Sequence, residues 1–457
     1  MTLDEVLGLR VAVWGLGAEG SAFVGLARRR GVEPLLVDDR PDRPTGLHGP
    51  PVLRPADVPW SEVDVVVRSP GVSRYRPELA AAEAAGVRVT TAMAVWLEDH
   101  VRAPVVAVTG TKGKSTTAAL TAAVLRGDGL EVALVGNIGV PVLDTYGRPP
   151  ADAYVVEVSS YQAADVTTPP GAVVLTSLAP DHLDWHGGVE AYYRDKLRLV
   201  GAGALAVSAG NAEAVRRTAW HPDRILYGPE GRVRVGDDGW VVVDGVRVAD
   251  GARLRVPGRH NAWNLCGAVA GALLVTGRPP TPDAVAGAVD GFAGLPSRCQ
   301  VLGERGGRTY VDDALASNPF AAAASVGTFA GRPLTLIVGG ADRGVDPTPL
   351  VVAVGAHRPQ AAVVVVGPGA DRLVGALADG GVPAAAVRTA DDLTGAVAVA
   401  TGLTPPGGVV LFSPGAPTPE GGGGYRARSH EFAEAAGFDA PDGREPAPPG
   451  GGHRDRG

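Results

Sequence analysis

The feature that most constrains the fold is the stretch GTKGKST at residues 110–116, which follows an apolar run and precedes an alanine-rich one. Val106 to Val108 predict a buried strand, and the residues after Ser115 predict a helix. Glycines in such a turn let backbone amides close around phosphate oxygens, and the following helix points its positive end at them. A strand, a glycine-rich turn and a helix in this order predict a parallel sheet with the loop above its carboxyl edge.

The side chains of this loop suit a nucleoside triphosphate. Lys114 adds a point charge, and the hydroxyl of Ser115 or Thr116 can bind Mg²⁺. Val108 stands where the Walker pattern has its first glycine, so the motif is a shortened variant. The residues expected to hold the nucleotide are Gly110, Thr111, Lys112, Gly113, Lys114, Ser115 and Thr116. The loop alone does not distinguish a switch protein, a kinase and a ligase.

The chain of 457 residues predicts about three domains. Residues 1–96 begin with strand, glycine turn, helix and strand, and Gly15, Gly17 and Gly20 fit the G-x-G-x-x-G pattern of a Rossmann-like domain. Residues 97–294 form the domain with the phosphate loop, whose short alternating pieces between 201 and 256 predict an antiparallel insertion. Residues 295–438 again alternate strands and helices. The segment 439–457, rich in Pro and Gly, predicts a disordered tail.

Composition excludes several classes of protein. Net charge is −7 and only 5% of residues are aromatic, so the chain lacks the positive charge and aromatic side chains expected of a nucleic-acid-binding protein. Two cysteines, Cys266 and Cys299, are too few for a disulfide framework. The first residues lack a signal-peptide pattern, and no apolar run suggests a membrane span. We expect a cytoplasmic α/β protein with small-molecule partners.

Polar residues end the strands that follow the phosphate loop. Glu157, followed by Ser159, stands where a second-strand acid binds Mg²⁺. His182 ends the next strand in DHLDWHG, and Lys196 lies on the helix after it. A single histidine or lysine in such a place is usually structural. Their combination with the phosphate loop makes them candidates for the site.

This combination resembles the Mur ligase family of bacterial cell-wall synthesis, in particular its glutamate-adding members. The motifs GTKGKST, GNIGVP, EVSSYQ, DHLDWHG, GRHNAWN, LPSR and DDALASNP occur in the family's order, from the first strand to about Phe438. The resemblance implies three α/β domains: a Rossmann-like amino-terminal domain, a central P-loop domain and a Rossmann-like carboxyl-terminal domain. It also implies an ATP-dependent ligase that activates a carboxylate as an acyl phosphate, which an amine then displaces.

Carried over by position, the resemblance assigns roles to individual residues. Lys114 would bind the β- and γ-phosphates. Ser115 or Thr116, Glu157, His182 and a carbamoylated Lys196 would surround two Mg²⁺ ions, because a carbamate offers the anionic oxygen that an amine lacks. Asn261 and Asn264 would lie beside adenine, and Arg298 and Asp313 would contact phosphate and ribose after domain closure.

The same resemblance makes the first domain a site for the UDP part of the substrate, UDP-N-acetylmuramoyl-L-alanine, and the third a site for glutamate. The residues implied for substrate binding are Gly17, Ala18, Glu19, Gly20, Asp38, Ser69, Gly71, Asn137 and Ser159, with Ser317, Arg343, Thr418 and Tyr425 for the amino acid. We expect a monomer.

Four positions depart from the usual D-glutamate-adding pattern: Lys112, Leu315, Arg343 and the stretch around Thr418. Three of the four lie at the amino-acid pocket, which favours unchanged activation with altered recognition of the amino acid. The chain therefore resembles the L-glutamate-adding variant, which works with an epimerase that inverts the terminal residue. Drift within a D-glutamate ligase is the alternative.

Three other classes share part of the pattern. A folylpolyglutamate synthase has the phosphate loop but lacks a UDP-binding domain before it. A non-enzymatic P-loop protein would not need Lys196 or the pair Asn261 and Asn264. A nicotinamide-dependent redox enzyme would account only for the first glycine turn.

Overall fold

The computed structural model describes residues 1–42, 49–138, 140–256, 258–341, 344–419 and 421–439. Arg343 and the predicted tail from residue 440 onward lie outside the described residues. The chain divides into two compact units. The first comprises Met1–Arg253 and His260–Gly291, and the second comprises Leu254–Arg259 and the residues from Phe292 onward. The domain boundaries at 96 and 294 stay predictions.

The first sheet of the first unit is parallel, in the order β2-β1-β3-β4. Its strands are β1 (Val11–Trp14), β2 (Leu35–Val37), β3 (Val65–Arg68) and β4 (Arg88–Thr90), and its helices are α1 (Leu3–Leu7), α2 (Ala18–Arg29), α3 (Pro77–Ala84) and α4 (Ala92–Asp99). β1 and β3 are buried throughout, as expected of parallel strands covered by helices on both faces. A Cβ on Gly20 would lie 1.9 Å from the Gly15 carbonyl oxygen, so glycine is required for this close helix–strand packing.

The second sheet of this unit has the order β13-β12-β11-β10-β9-β8-β5-β7-β6. Its strands are β5 (Val105–Thr109), β6 (Val132–Gly136), β7 (Ala153–Glu157), β8 (Ala172–Leu175), β9 (Ala204–Ser208), β10 (Ile225–Gly228), β11 (Val233–Val235), β12 (Trp240–Val243) and β13 (Val246–Asp250). Its helices are α5 (Lys114–Gly127), α6 (Ser160–Ala163), α7 (Leu183–His186), α8 (Val189–Leu197), α9 (Ala212–Arg217), α10 (Arg259–Thr276) and α11 (Pro282–Gly291). Strands β5 to β10 pair in parallel.

The antiparallel insertion is smaller than the predicted range 201–256. Only β11 with β12 and β12 with β13 pair antiparallel. β9 and β10 extend the parallel sheet instead, because helix α9 connects them and a helical crossover returns the chain in the same direction. The sequence Val243-Asp244-Gly245 is typical of a hairpin turn, and Asp244 and Gly245 both have positive φ between β12 and β13.

The second unit contains one sheet, in the order β14-β15-β19-β16-β17-β18. Its strands are β14 (Gln300–Arg305), β15 (Arg308–Asp312), β16 (Leu334–Val338), β17 (Ala362–Val366), β18 (Val387–Ala390) and β19 (Val409–Phe412). Its helices are α12 (Pro319–Thr328), α13 (Thr348–Ala356), α14 (Ala370–Asp379), α15 (Leu393–Leu403) and α16 (Gly424–Ala436). Only β14 is antiparallel to its neighbour, so this unit is Rossmann-like as predicted.

The cores of these sheets are built mainly from valine, leucine and alanine. Among the described residues, no helix is both long enough and apolar enough to cross a membrane.

Candidate active site

The phosphate loop connects β5 to α5 and is held in place by the end of β8. The Thr111 amide donates to the Ser177 carbonyl oxygen at 2.9 Å, and the Thr176 hydroxyl donates to the Lys112 carbonyl oxygen at 2.6 Å. Gly110 has a φ of 147°, and a Cβ there would lie 2.0 Å from Thr176 Oγ1. The loop conformation is therefore fixed by hydrogen bonds and depends on this glycine.

Two side chains at the start of α5 lie on this loop. Lys114 Nζ donates to the Thr111 carbonyl oxygen at 3.1 Å, so the ammonium group lies over the backbone of the loop. Ser115 is 2% exposed, and its hydroxyl has no hydrogen-bond partner within the described part of the chain. A buried hydroxyl without a partner is costly, so this group is suited to a ligand that approaches the helix start.

Glu157 ends β7, the strand beside β5, so its carboxylate lies at the same carboxyl edge as the phosphate loop. The residue is fully buried. Its Oε1 accepts a hydrogen bond from Asn137 Nδ2 at 2.8 Å, whereas its Oε2 has no partner among the described residues. The structure thus brings together two predicted residues and leaves one buried carboxylate oxygen available to a cation.

Lys196 lies on α8 and is 1% exposed. Its Nζ donates to the Gly110 carbonyl oxygen at 3.0 Å, which places the amine against the phosphate loop. Burial and the neighbouring charge of Lys114 lower the pKa of Lys196 well below its usual value, although Asp181 and Glu157 oppose the shift. The amine therefore gives up its proton far more readily than a solvated lysine.

His182 begins α7 with a left-handed backbone, φ 52°, and its amide donates to Asp181 Oδ1 at 3.0 Å. The ring lies 4.9 Å from that of Tyr161, centroid to centroid. Burial lowers the pKa of His182, and the charges of Lys114, Lys196 and Lys112 lower it further while Asp181 raises it. The imidazole is therefore held neutral near pH 7, the form in which it can bind a metal.

Asn261 and Asn264 lie on the first turns of α10, and both are buried. Asn264 Nδ2 donates to Asn261 Oδ1 at 3.0 Å. A Cβ on Gly113 would lie 2.6 Å from Asn264 Oδ1, so Asn264 lies against the phosphate loop.

The described residues contain no group of three or more histidine, cysteine, aspartate and glutamate side chains that could hold a metal. The predicted metal ligands are instead a hydroxyl, a carboxylate, an imidazole and a lysine. A cation bound here would need phosphate oxygens and water to complete its coordination shell.

The glycine turn of the first sheet carries the residues predicted for the UDP part of the substrate. Asp38 Oδ2 accepts from the Leu16 amide at 2.9 Å, and the Ser69 hydroxyl donates to the Gly15 carbonyl oxygen. Glu19 accepts from Gln162 Nε2, and its Oε2 has no partner among the described residues. Asp38 and Ser69 therefore shape the turn, whereas Glu19 retains an available oxygen.

Sequence reasoning missed a group of hydrogen-bonded side chains beside this site, of which Ser160, His186 and Asp195 are buried. His186 Nδ1 lies 2.7 Å from Asp195 Oδ2, and its Nε2 lies 3.0 Å from Ser160 Oγ. The Tyr75 hydroxyl donates to Asp195 at 2.9 Å. Asp195 immediately precedes Lys196, so these hydrogen bonds fix the start of α6 and the lysine-bearing part of α8. His186 stands within the quoted motif DHLDWHG and Ser160 within EVSSYQ, which are the signals that could have pointed to this group.

Asp313 and Arg298 belong to the second unit. Asp313 Oδ2 accepts from Ser325 Oγ at 2.5 Å and from Ser413 Oγ at 2.7 Å, and its Oδ1 accepts from the Cys299 amide at 3.1 Å. Burial raises the pKa of Asp313 to about 6 against these three hydrogen bonds. The side chain of Arg298 is exposed. Arg298 therefore directly precedes Cys299, whose backbone amide donates to Asp313.

A cavity of about 60 Å³ in the second unit lies above the carboxyl ends of β16 and β19. Its lining includes Ser317, the segments 338–341 and 414–417, and Arg372. Thr418 directly follows one of these segments, and Tyr425 is 37% exposed at the start of α16. Of the four residues predicted for the amino acid, the structure puts Ser317 at the cavity and Thr418 next to its wall.

Comparison with known proteins relates the chain to one family. The profile of the Mur ligase middle domain matches residues 108–272, and that of the Mur ligase, glutamate ligase domain matches residues 297–415. The chain is 39% identical to the UDP-N-acetylmuramoyl-L-alanine–L-glutamate ligase of a Micromonospora species over 458 residues, 95% of this chain and 98% of the relative. It is 38% identical to the ligase of the same name from Xanthomonas axonopodis pv. citri over 470 residues, 96% and 97% of the two chains.

Among solved structures, UDP-N-acetylmuramate-alanine ligase from Thermotoga maritima matches with a TM-score of 0.59 and 18% identity, over 93% of this chain and 98% of the other. That likeness shows the fold alone. It agrees with the predicted architecture of α/β domains with parallel sheets.

Proposed function

Because the chain belongs to the Mur ligase family, we propose that it is an ATP-dependent ligase that joins UDP-N-acetylmuramoyl-L-alanine to L-glutamate. Relatives at 38% and 39% identity over nearly the whole chain bear that name. The observation that carries the proposal is the hydrogen-bonded phosphate loop with two buried oxygens beside it, Ser115 Oγ and Glu157 Oε2, that lack a partner in the described chain.

The nucleotide would bind to the amides of residues 110–116, with its β- and γ-phosphates near Lys114. Asn261 and Asn264 are proposed for the adenine side, a role supported by the position of Asn264 against the loop at Gly113. Arg298 and Asp313 are proposed for phosphate and ribose on the strength of their positions in the family's motifs.

The donor set fits Mg²⁺, because Ser115 and Glu157 offer hard oxygen ligands and both have an unused oxygen. The buried hydroxyl favours Ser115 over Thr116 as the ligand. When bound, Mg²⁺ supplies positive charge that offsets the charge of the phosphates. We propose a second ion beside His182 and Lys196. The lowered pKa of Lys196 supports its carbamoylation, because a deprotonated amine is the form that adds carbon dioxide.

In the proposed reaction, the carboxylate of the UDP-linked substrate attacks the γ-phosphorus of ATP and ADP leaves. The amine of glutamate then attacks the acyl carbon, and phosphate leaves as the amide forms. Within the protein, the fixed loop and Lys114 hold the phosphates in line with the carboxylate. Asn137, hydrogen-bonded to Glu157, is proposed to orient the substrate at the same edge of the sheet.

The remaining proposed contacts divide between the two substrates. Gly17, Ala18, Glu19, Gly20, Asp38, Ser69, Gly71 and Ser159 would hold the UDP-linked part. Ser317, Thr418, Tyr425 and Arg343 would hold glutamate. A product that ends in L-glutamate would pass to an epimerase that inverts that residue.

The test is ATP-dependent phosphate release with UDP-N-acetylmuramoyl-L-alanine, Mg²⁺ and either L- or D-glutamate at equal concentration. We expect release only with all components present and with preference for L-glutamate. Preference for D-glutamate would mean that the departures in the second unit are drift within a D-glutamate ligase. Release with neither would contradict the substrate assignment, and release without any amino acid would favour a nucleotide-hydrolysing P-loop protein.

A further inference from the structure

Arg428 is a buried cation that the proposed reaction has not used. It lies on α16 and is 9% exposed. Its Nη2 donates to the Gly339 carbonyl oxygen at 2.6 Å, and its guanidinium carbon lies 5.1 Å from the centre of the Phe412 ring. Its Nη1 is buried and has no hydrogen-bond partner in the described residues. One nitrogen of this charged guanidinium is therefore left without a hydrogen-bond acceptor among the described residues.

No carboxylate among the described residues forms an ion pair with Arg428. The acid that acts on it electrostatically is Glu431, an exposed residue on the same helix, and burial lowers the pKa of Arg428 despite it. Burial of a charge without a counter-ion costs several kcal/mol in a protein. A ligand carboxylate that pairs with Arg428 would offset the free energy lost on burying the guanidinium. The site therefore favours an anionic ligand over a neutral one.

The unpaired nitrogen lies directly behind the wall of the cavity in the second unit. A Cβ built on Gly340 would be 3.1 Å from Arg428 Nη1 and 2.5 Å from the Pro417 carbonyl oxygen. Gly340 and Pro417 both line the cavity and Arg428 does not, so the guanidinium lies behind the backbone of Gly340. The cavity volume of about 60 Å³ is enough for several water molecules, and so for a carboxylate group.

We propose that Arg428 receives a carboxylate of the incoming amino acid through Nη1 and thereby determines the preference for a dicarboxylic amino acid. Because Nη1 is buried behind Gly340, this contact requires the backbone at Gly340 to shift when the amino acid binds, while Nη2 stays bound to the Gly339 carbonyl oxygen. The inference rests on the proposed function, since it names the residue that recognises the amino acid of that reaction.

Two other arginines near the cavity do not fill this role. Arg372 lines the cavity, but it is exposed and donates to the Val345 carbonyl oxygen at 3.2 Å. Arg426 is exposed and contacts the Tyr425 hydroxyl at 3.4 Å. Arg426 is on the same helix as Arg428 and carries the same charge, so it provides a matched control.

The experiment compares Arg428→Gln, Arg428→Lys and the control Arg426→Gln in steady-state phosphate release, with glutamate and glutamine as amino acids. We expect Arg428→Gln to raise the KM for glutamate by about 10- to 100-fold, the usual range for a lost charged hydrogen bond. It should leave the KM values for ATP and the UDP-linked substrate unchanged and narrow the discrimination between glutamate and glutamine. Arg428→Lys should show a smaller increase, and Arg426→Gln none.

An unchanged KM for glutamate in Arg428→Gln overturns the inference. Equal losses for all three substrates with a lowered melting temperature also overturn it, because they indicate a structural role only. Arg428→Lys keeps the charge and provides the same readout if the glutamine variant does not fold. Failure of the proposed function looks different: the unsubstituted protein then releases no phosphate with any glutamate.

Discussion

The unpartnered oxygen of Glu157 gives the most direct test of the proposed Mg²⁺ site. The substitution Glu157→Gln keeps the volume and the oxygen that Asn137 Nδ2 contacts at 2.8 Å, but replaces the unpartnered Oε2 with a neutral NH₂ group. It removes a buried carboxylate that forms no salt bridge among the described residues, so we expect the ligand-free variant to be at least as stable as the unsubstituted protein. The loss should appear only when Mg²⁺ and ATP are present.

The size of that loss follows from linkage. A ligand present at about 100 times its Kd stabilises a protein by about 2.7 kcal/mol. Removing a charged metal ligand raises the Kd by roughly 100-fold, which leaves about 0.4 kcal/mol of stabilisation at the same concentration. At about 2 °C per kcal/mol, the upward shift of the melting temperature should fall from about 5 °C to below about 1 °C.

The assay is a thermal melt with and without Mg²⁺ and ATP, together with a Mg²⁺ titration of phosphate release. Glu131→Gln removes an exposed carboxylate from the loop before β6 and serves as the control, which should keep the full ligand-induced shift. Equal ligand-induced shifts in Glu157→Gln and the unsubstituted protein would refute the reasoning, because the buried carboxylate would then not interact with the bound cation.

Three further predictions follow from the structure. Gly110→Ala places a Cβ 2.0 Å from Thr176 Oγ1 and should lower phosphate release at least about 100-fold, whereas Gly171→Ala, with nothing within 4 Å, should leave it unchanged. Lys196→Ala should abolish phosphate release and recover part of it with added short carboxylates; full activity without them contradicts the carbamate. The pKa of Asp313 is raised to about 6, so its protonated form stabilises the folded protein at low pH and this contribution, about 2–3 kcal/mol, is lost as pH rises through 6. Denaturant unfolding from pH 4 to 8 should show this slope in the unsubstituted protein and a flatter one in Asp313→Asn; equal slopes would show that Asp313 is not the group responsible.

The parts of the site that follow from sequence are those fixed by local backbone geometry. Gly110 and Gly113 need left-handed or otherwise restricted conformations, and Glu157 ends an apolar strand, so pattern alone placed them at one edge of a parallel sheet. The same logic failed for β9 and β10. They fall in the range 201–256, which was predicted as an antiparallel insertion, and the short helix α9 between them, which makes their pairing parallel, was not recognised.

Side-chain burial is the property that sequence reasoning could not supply. Lys196 follows charged residues on α8 and would ordinarily be solvated, yet it is nearly fully buried against the phosphate loop. Arg428 was missed, although a signal existed: it lies four residues before Phe432 and eight before Ala436, both buried on α16, and so shares their helix face.

The division of these features between two compact units explains how amino-acid recognition can change while activation stays the same. The phosphate loop is held by Thr176, Ser177 and Asn264, all within the first unit. The cavity in front of Arg428 is built from loops of the second unit that are rich in glycine and proline. We expect substitutions around Leu315, Arg343 and Thr418 to change the partners of the two glutamate carboxylates and to leave the hydrogen bonds of the phosphate loop in place, because those bonds form within the first unit. The two hands of glutamate differ only in how the carboxylates are arranged about the amine, so we expect a change of preferred hand to need new residues only where the amino acid binds.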